Sequence, residues 1–436
     1  MKLKILRTFA QLNLAIFFLL IVATFSILGT IIEQDQNLNY YKEIYADVLL
    51  PGNLFFWEFL LFFGLDHIYK TWWFLTLLFL FGTCLVCCTF TQQFPTLQLA
   101  RRCNFKTKLN SFKRQEYFTI INNLYFFKCL NNFKLKKYNI FQQKDIIYIY
   151  KGILGRFAPI IVHVAMILIL IGNTIAALGS FNAQELIAKG EIFEIQNTIS
   201  KSFFTKIPDY PLRVNNFWIE YGTKNNIKQF YSDLSILNTN GNEINRKTIS
   251  VNFPLRFKNL TFYQTDWNAI ALRISINNEN YQLPLTSLTK TKSLWVTWVP
   301  IFKTSENGIT FITNNLNGTF SLYSSQGNFL GTFNLGDRIR SLDNLTIFEI
   351  VTETGLQIKA DPGIPLIYLG FGILMVSSLI SYFSFTQFWL AKNNKEKFIG
   401  ATSNRAKLNL RFEFLSFTLS YVSKNPRNIL KTKKFN

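Results

Sequence analysis

Four apolar stretches restrict what this chain can fold into: Leu12–Ile32, Trp72–Phe90, Phe157–Gly179 and Ile364–Ala391. A helix of about 20 apolar residues crosses the hydrocarbon core of a bilayer. The spacing therefore predicts four transmembrane α-helices, with a large β-rich soluble domain between the third and fourth. A shorter run, Leu54–Leu65, carries Glu58 and reads as an interfacial or re-entrant helix. The first stretch is longer than a signal-peptide core and no small-residue cleavage site follows, so it reads as an anchor. The expected organisation is a pair of spans over 1–91, a basic loop over 92–156, the third span over 157–179, the β-rich domain over 180–361, the fourth span over 364–391 and a basic tail over 392–436.

Charge orients these spans. The chain has 46 Lys plus Arg against 25 Asp plus Glu. Residues 92–156 hold 13 basic and two acidic residues, and 387–436 hold 11 and two. Residues 33–70 hold six acidic and two basic residues, and 180–361 are nearly balanced at 17 basic and 15 acidic. Basic loops stay on the side where the protein is made. Both termini and the 92–156 loop are thus expected inside, with 33–70 and 180–361 outside. Topology and anionic lipid then account for the basicity. Nucleic acid is not an expected partner, because no recognition helix or zinc motif accompanies the charge.

Residues 180–361 read as β-structure. Short alternating runs such as Phe230–Leu237 and Leu260–Gln264 are punctuated by turn signals at Asn240-Gly241, Asn307-Gly308, Asn317-Gly318 and Gln326-Gly327. The domain contains no cysteine, so it cannot perform thiol–disulfide exchange itself. Phe412–Val422 alternates like a strand. The 92–156 loop suggests a small sheet or a membrane-surface element.

The chain has two histidines. His163 sits within the third span, where an ionisable residue is costly and commonly functional. It reads either as a helix–helix hydrogen bond or as an axial ligand for haem or another metal. His67 precedes the second span and reads as an interfacial polar residue or a second ligand candidate. The two lie at different depths, so one haem shared between them within this chain is not expected. Cys84 and Cys87 have C-x2-C spacing at the inner end of the second span, but no second pair follows and packing is the better reading. Cys103 and Cys129 stand alone. Asp361, ahead of Pro362-Gly363, reads locally as a helix N-cap. Catalytic triads, Gly-rich phosphate loops and zinc-protease motifs do not occur.

Several motifs together resemble the ResB/CcsB family of System II cytochrome c biogenesis proteins, in its plastid-encoded algal form. They are Leu28-Gly29-Thr30-Ile31-Ile32-Glu33-Gln34, Gly64-Leu65-Asp66-His67-Ile68-Tyr69-Lys70-Thr71-Trp72-Trp73-Phe74, Gly155-Arg156, and His163 through Ile171-Gly172. Further on come Val251-Asn252-Phe253-Pro254-Leu255, Thr261 through Trp267, and Asp361-Pro362-Gly363. The bias toward Phe, Ile, Asn and Lys suits an AT-rich organelle genome. The resemblance implies a thylakoid membrane subunit of a cytochrome c haem-ligation complex, accessory or structural within the synthase. Haem would pass transiently, in concert with a tryptophan-rich subunit of the CcsA type. It would be attached to c-type apocytochromes on the lumenal side, cytochrome f among them, with their thiols kept reduced by a separate protein. The functional membrane histidine maps onto His163, with His67 the other candidate, and the functional acidic residue maps onto Asp361. The rival reading is a non-haem scaffold for assembling a thylakoid photosynthetic complex.

Overall fold

A computed structural model describes residues 2–46, 49–50, 54–106, 108–121, 126–222, 226–288, 294–300, 308–339, 345–393 and 396–418. The chain divides into two compact units. One comprises residues 1–34, 63–174 and 363–436, the other 35–62 and 175–362. Both strongly basic segments, 92–156 and 387–436, belong to the first unit.

Among the described residues, three helices are long and apolar enough to cross a membrane: Leu12–Ile31, Trp72–Arg101 and Leu154–Gly179. The second outruns the apolar stretch by more than two turns. Its α-helical part, Trp72–Cys88, passes through a π turn at Thr89–Gln93 into Phe94–Arg101. Pro95 lacks the N–H that would bond the Thr91 carbonyl, and a widened turn before it relieves the ring.

The last apolar stretch was expected as one helix over 364–391. It is helical only over Ile364–Ile380, and Thr386–Asn393 is a strand. Seventeen residues at 1.5 Å each reach about 26 Å, slightly under a bilayer's hydrocarbon thickness. This helix packs antiparallel on the third through small residues at heptad spacing. Ala158, Ala165 and Gly172 are buried on one helix, as are Gly363, Gly370 and Ser377 at the other. A Cβ on Gly172 would sit 2.7 Å from Ile367, and one on Gly370 would sit 2.6 Å from Ile169. Lipid supplies no hydrophobic drive between helices, so close backbone approach holds the pair.

The basic loop and the tail are one domain. Their strands form a five-stranded antiparallel sheet in the order Tyr117–Ile121, Glu396–Ser403, Thr386–Asn393, Ile146–Lys151 and Asn139–Gln143. Phe412–Val422, expected as a strand, is helical as far as it is described, within Lys407–Thr418; residues 419–422 lie outside the described residues. Leu410, Phe414 and Phe417 bury one helical face on the sheet, while Leu408 and Phe412 are 70% exposed. Alternation hid a 3.6-residue period. The other face of the sheet buries Phe112, Tyr148, Trp389 and Phe398.

The second unit is β-rich, as its turn signals predicted. Two long strands, Leu260–Ile276 and Leu345–Ala360, pair antiparallel and serve two cores. One end packs with a four-stranded sheet around Phe262, Leu234, Ile236 and Ile358. The other packs with a five-stranded sheet around Leu272, Trp295, Phe311 and Ile347. Register shifts near Gln264–Asp266 and Ala269–Ala271 bend the pair between them. Gly355 faces that bend, where a Cβ would lie 2.7 Å from the Asp266 side chain.

Candidate functional site

His163 lies on the third apolar helix, facing the π turn of the second. Its Nδ1 is 2.8 Å from Thr89 Oγ1, and that hydroxyl donates its proton to the Leu85 carbonyl at 2.7 Å. A threonine hydroxyl has one proton. With that proton on the Leu85 carbonyl, Thr89 Oγ1 accepts from His163 Nδ1–H, the tautomer whose lone pair is on Nε2. The Leu85 backbone also hydrogen-bonds the His163 ring. Thr89 is 6% exposed, so this orientation is set inside the helix contact. The arrangement holds the imidazole through Nδ1, and ligating histidines are commonly fixed through the nitrogen that does not bind the metal.

The sequence alone did not single out Thr89. Threonine is unremarkable in a span, and only the pairing of the two helices brings it to His163. Its one local signal was Pro95, which foreshadows an irregular turn.

His67 is elsewhere. It lies in the short helix Leu65–Lys70, its Nδ1 2.8 Å from Asp66 Oδ1. The 17-residue helix Trp72–Cys88 separates His67 from Thr89, about 25 Å at 1.5 Å per residue. The two histidines stand at opposite ends of one helix and cannot ligate one iron within this chain. Among the described residues no group of three or more His, Cys, Asp or Glu could hold a metal.

The segment around His67 is clamped to the end of the first helix. Gln34 accepts from Ile68 N at 2.9 Å and donates to Leu65 O at 3.0 Å. Tyr69 donates to Ser26 O at 3.2 Å, and its hydroxyl fills the place a Cβ on Gly29 would need, at 2.8 Å. Gly64 has φ +66°, and a Cβ there would meet Thr71 at 2.8 Å. The two motifs quoted around the first and second spans are thus two halves of one interlock.

Asp361 belongs to the second unit, between the strand Leu345–Ala360 and the helix Ile364–Ile380. The N-cap position is held by Gly363, with no side-chain cap bond, so the local reading of Asp361 as N-cap is not met. Cys84 is buried, while Cys87 and Cys88 are half-buried; all three are free thiols. The side chain of Cys129 lies outside the described residues.

The other matched motif, Thr261 through Trp267, builds the junction of the two β cores. The Gln264 side-chain carbonyl accepts from Ser232 and from Thr354, the latter at 2.9 Å, and all three residues are buried. Trp267 stacks on Phe217 and lies tilted against Trp295, with ring centroids 6.1 and 5.2 Å away.

These features define a class: proteins with helices long and apolar enough to cross a membrane, joined to a large β-rich domain, with one oriented imidazole at a helix contact. A model of the ResB-like family matches residues 12–329 and 312–415, and the chain belongs to that family. It is 46% identical over 415 residues to cytochrome c biogenesis protein Ccs1 of Phaeodactylum tricornutum, covering 95% of this chain and 99% of that protein. It is 42% identical over 425 residues to the Ccs1 of Porphyra purpurea, covering 95% of each. Against cytochrome c biogenesis protein CcsB of Microcystis aeruginosa the identity is 41% over 419 residues, covering 94% of each.

Proposed function

We propose that this chain serves cytochrome c maturation as a membrane subunit that helps deliver haem for covalent attachment to c-type apocytochromes. Its relatives are named for cytochrome c biogenesis and match it nearly end to end. The observation that carries the haem reading is the His163 imidazole, held through Nδ1 by Thr89. Haem here is cargo. The His163 lone pair would hold its iron on one axial side, and a tryptophan-rich partner subunit would supply the other ligand. His67, paired with Asp66, stands at the opposite level and could serve a second station. Asp361 joins the β-rich domain to the last helix, where apocytochrome would meet its haem.

In this reading the chain crosses a thylakoid membrane four times, with the β-rich domain lumenal and both termini stromal. The grouping of the basic segments in one unit supports that arrangement. The apocytochrome thiols would be kept reduced by a separate protein, since the β-rich segment has no cysteine.

The test is an absorption spectrum of the chain co-purified with its membrane partner, alongside staining for covalently bound haem. His163→Gly is expected to lose the haem bands and covalently stained cytochromes, and added imidazole is expected to restore them. Haem retained unchanged in both His163→Gly and His67→Gly would remove this chain from the haem path. Loss of one photosynthetic complex with c-type haem intact would favour the scaffold reading.

A further inference from the structure

The β-rich unit carries a cleft of about 270 Å³ that the haem reading does not use. Gly179, the last residue of the third apolar helix, lines it, and so does Pro362, just before the fourth. The cleft therefore lies at the point where the chain leaves one apolar helix and approaches the next. Its apolar lining includes Phe181, Leu260 and Ala360. Its polar lining includes Lys206, Tyr210 and Lys258, and it contains no acidic residue.

The lysines are placed for an anion. Lys258 occupies the hairpin turn between Leu255–Phe257 and Leu260–Ile276 with φ +51°. Its ammonium donates to the Tyr210 hydroxyl and lies over the Tyr210 ring, 4.5 Å from the centroid. Tyr210 packs edge-on against Phe257. Because Tyr210 Oη accepts from Lys258, its own proton is free to donate outward. Among the described residues no carboxylate pairs with Lys206 or Lys258.

An apolar element adjoins these cations. Phe203 and Phe204 are 87% and 68% exposed, with ring centroids 4.9 Å apart. They are held at the end of the third helix: Phe204 N donates to Leu178 O at 2.9 Å, and Thr205 Oγ1 donates to Ser180 O at 2.9 Å. Two adjacent bare phenylalanines are costly in water and favourable at the level of lipid headgroups.

We propose that this cleft binds the anionic headgroup of a membrane amphiphile, its oxyanion between Lys206, Lys258 and the Tyr210 hydroxyl, with Phe203 and Phe204 among the apolar chains. Sites for drug-sized ligands begin near about 300 Å³, so a headgroup fits and a whole macrocycle does not. A lipid phosphate and the carboxylate of a bound porphyrin share this chemistry. The inference needs the chain to reside in a bilayer and does not need the haem path.

Native mass spectrometry of the full chain, released from detergent with phosphatidylglycerol or phosphatidylcholine, tests it. The parent is expected to retain phosphatidylglycerol selectively. The double variant Lys206→Gln/Lys258→Gln is expected to bind it about tenfold or more weakly, as loss of charge-assisted contacts implies. Tyr210→Phe, which leaves the ring and both cations, is expected to give a smaller loss. A double variant with the same charge change elsewhere, Lys228→Gln/Lys247→Gln, should match the parent. Displacement of the lipid by a dicarboxylate porphyrin would identify a porphyrin carboxylate as the source, and failure to displace it would identify the lipid. Equal retention by the parent and Lys206→Gln/Lys258→Gln, or equal loss in the control pair, would overturn the proposal.

Discussion

Thr89 Oγ1 lies 2.8 Å from Nδ1 of His163 and 2.7 Å from the Leu85 carbonyl, so one buried hydroxyl holds the ring of the span's histidine. Thr89→Val keeps the shape and removes the acceptor. It is expected to lower covalent haem attachment roughly tenfold, the loss typical for partners that orient a metal-binding histidine. Thr89→Ser should restore most of it. Quantitative haem staining of c-type cytochromes in the two variants checks this, and equal activity in Thr89→Val would separate Thr89 from function.

The third and fourth helices approach through glycine. Gly172→Leu and Gly370→Leu place side chains where Ile367 and Ile169 already stand. Overpacking of this kind costs about 1–3 kcal/mol. Both variants should show lower melting temperatures in detergent. Gly372→Leu, where a Cβ meets nothing within 4 Å, should not.

The junction of the two β cores rests on Gln264. Gln264→Leu strips Ser232 and Thr354 of their shared acceptor and the Asp266 carbonyl of a donor at 2.9 Å. A loss of about 1–3 kcal/mol is expected for buried groups left unpaired. Proteolytic sensitivity of the β-rich unit should rise in this variant and not in Gln326→Leu, which is exposed.

Lys106 brings a pH dependence to the basic domain. Its ammonium lies 3.5 Å from the centre of the Trp389 ring, and burial pulls its pKa down from 10.5 to about 8. The unfolded chain then holds a proton between about pH 8 and 10.5 that the folded chain has released. Stability therefore rises with pH across that window, and the burial cost is fully present below about pH 8. Thermal melts from pH 7 to 10.5 check this: Lys106→Met should flatten that part of the profile. An unchanged slope would mean that Lys106 keeps its proton.

Much of this architecture was legible locally. Apolar length marks the helices, because lipid admits only a chain whose backbone bonds are met internally. Turn residues and alternation marked the β-rich segment, and the resemblance was carried by motifs such as Gly29 and Tyr69 whose steric fit the structure explains. The end of the last helix was not legible. Phe385, Phe388 and Leu390 are as apolar as lipid-facing residues, yet they are buried in or beside a sheet. Hydropathy reports removal from water and does not say whether lipid or protein does the removing.

The sequence by itself determined the apolar helices, the basic and neutral segments, the β character of residues 180–361 and the family. These follow from runs and periods of a few residues, which local physics reads directly. Only the tertiary structure decided that the loop and the tail share one sheet, that Gly172 and Gly370 face partners on opposite helices, and that Thr89 turns His163. Those contacts join residues separated by 74 to nearly 300 positions. No local propensity encodes them, because each depends on which faces are left to be buried once the helices and strands exist.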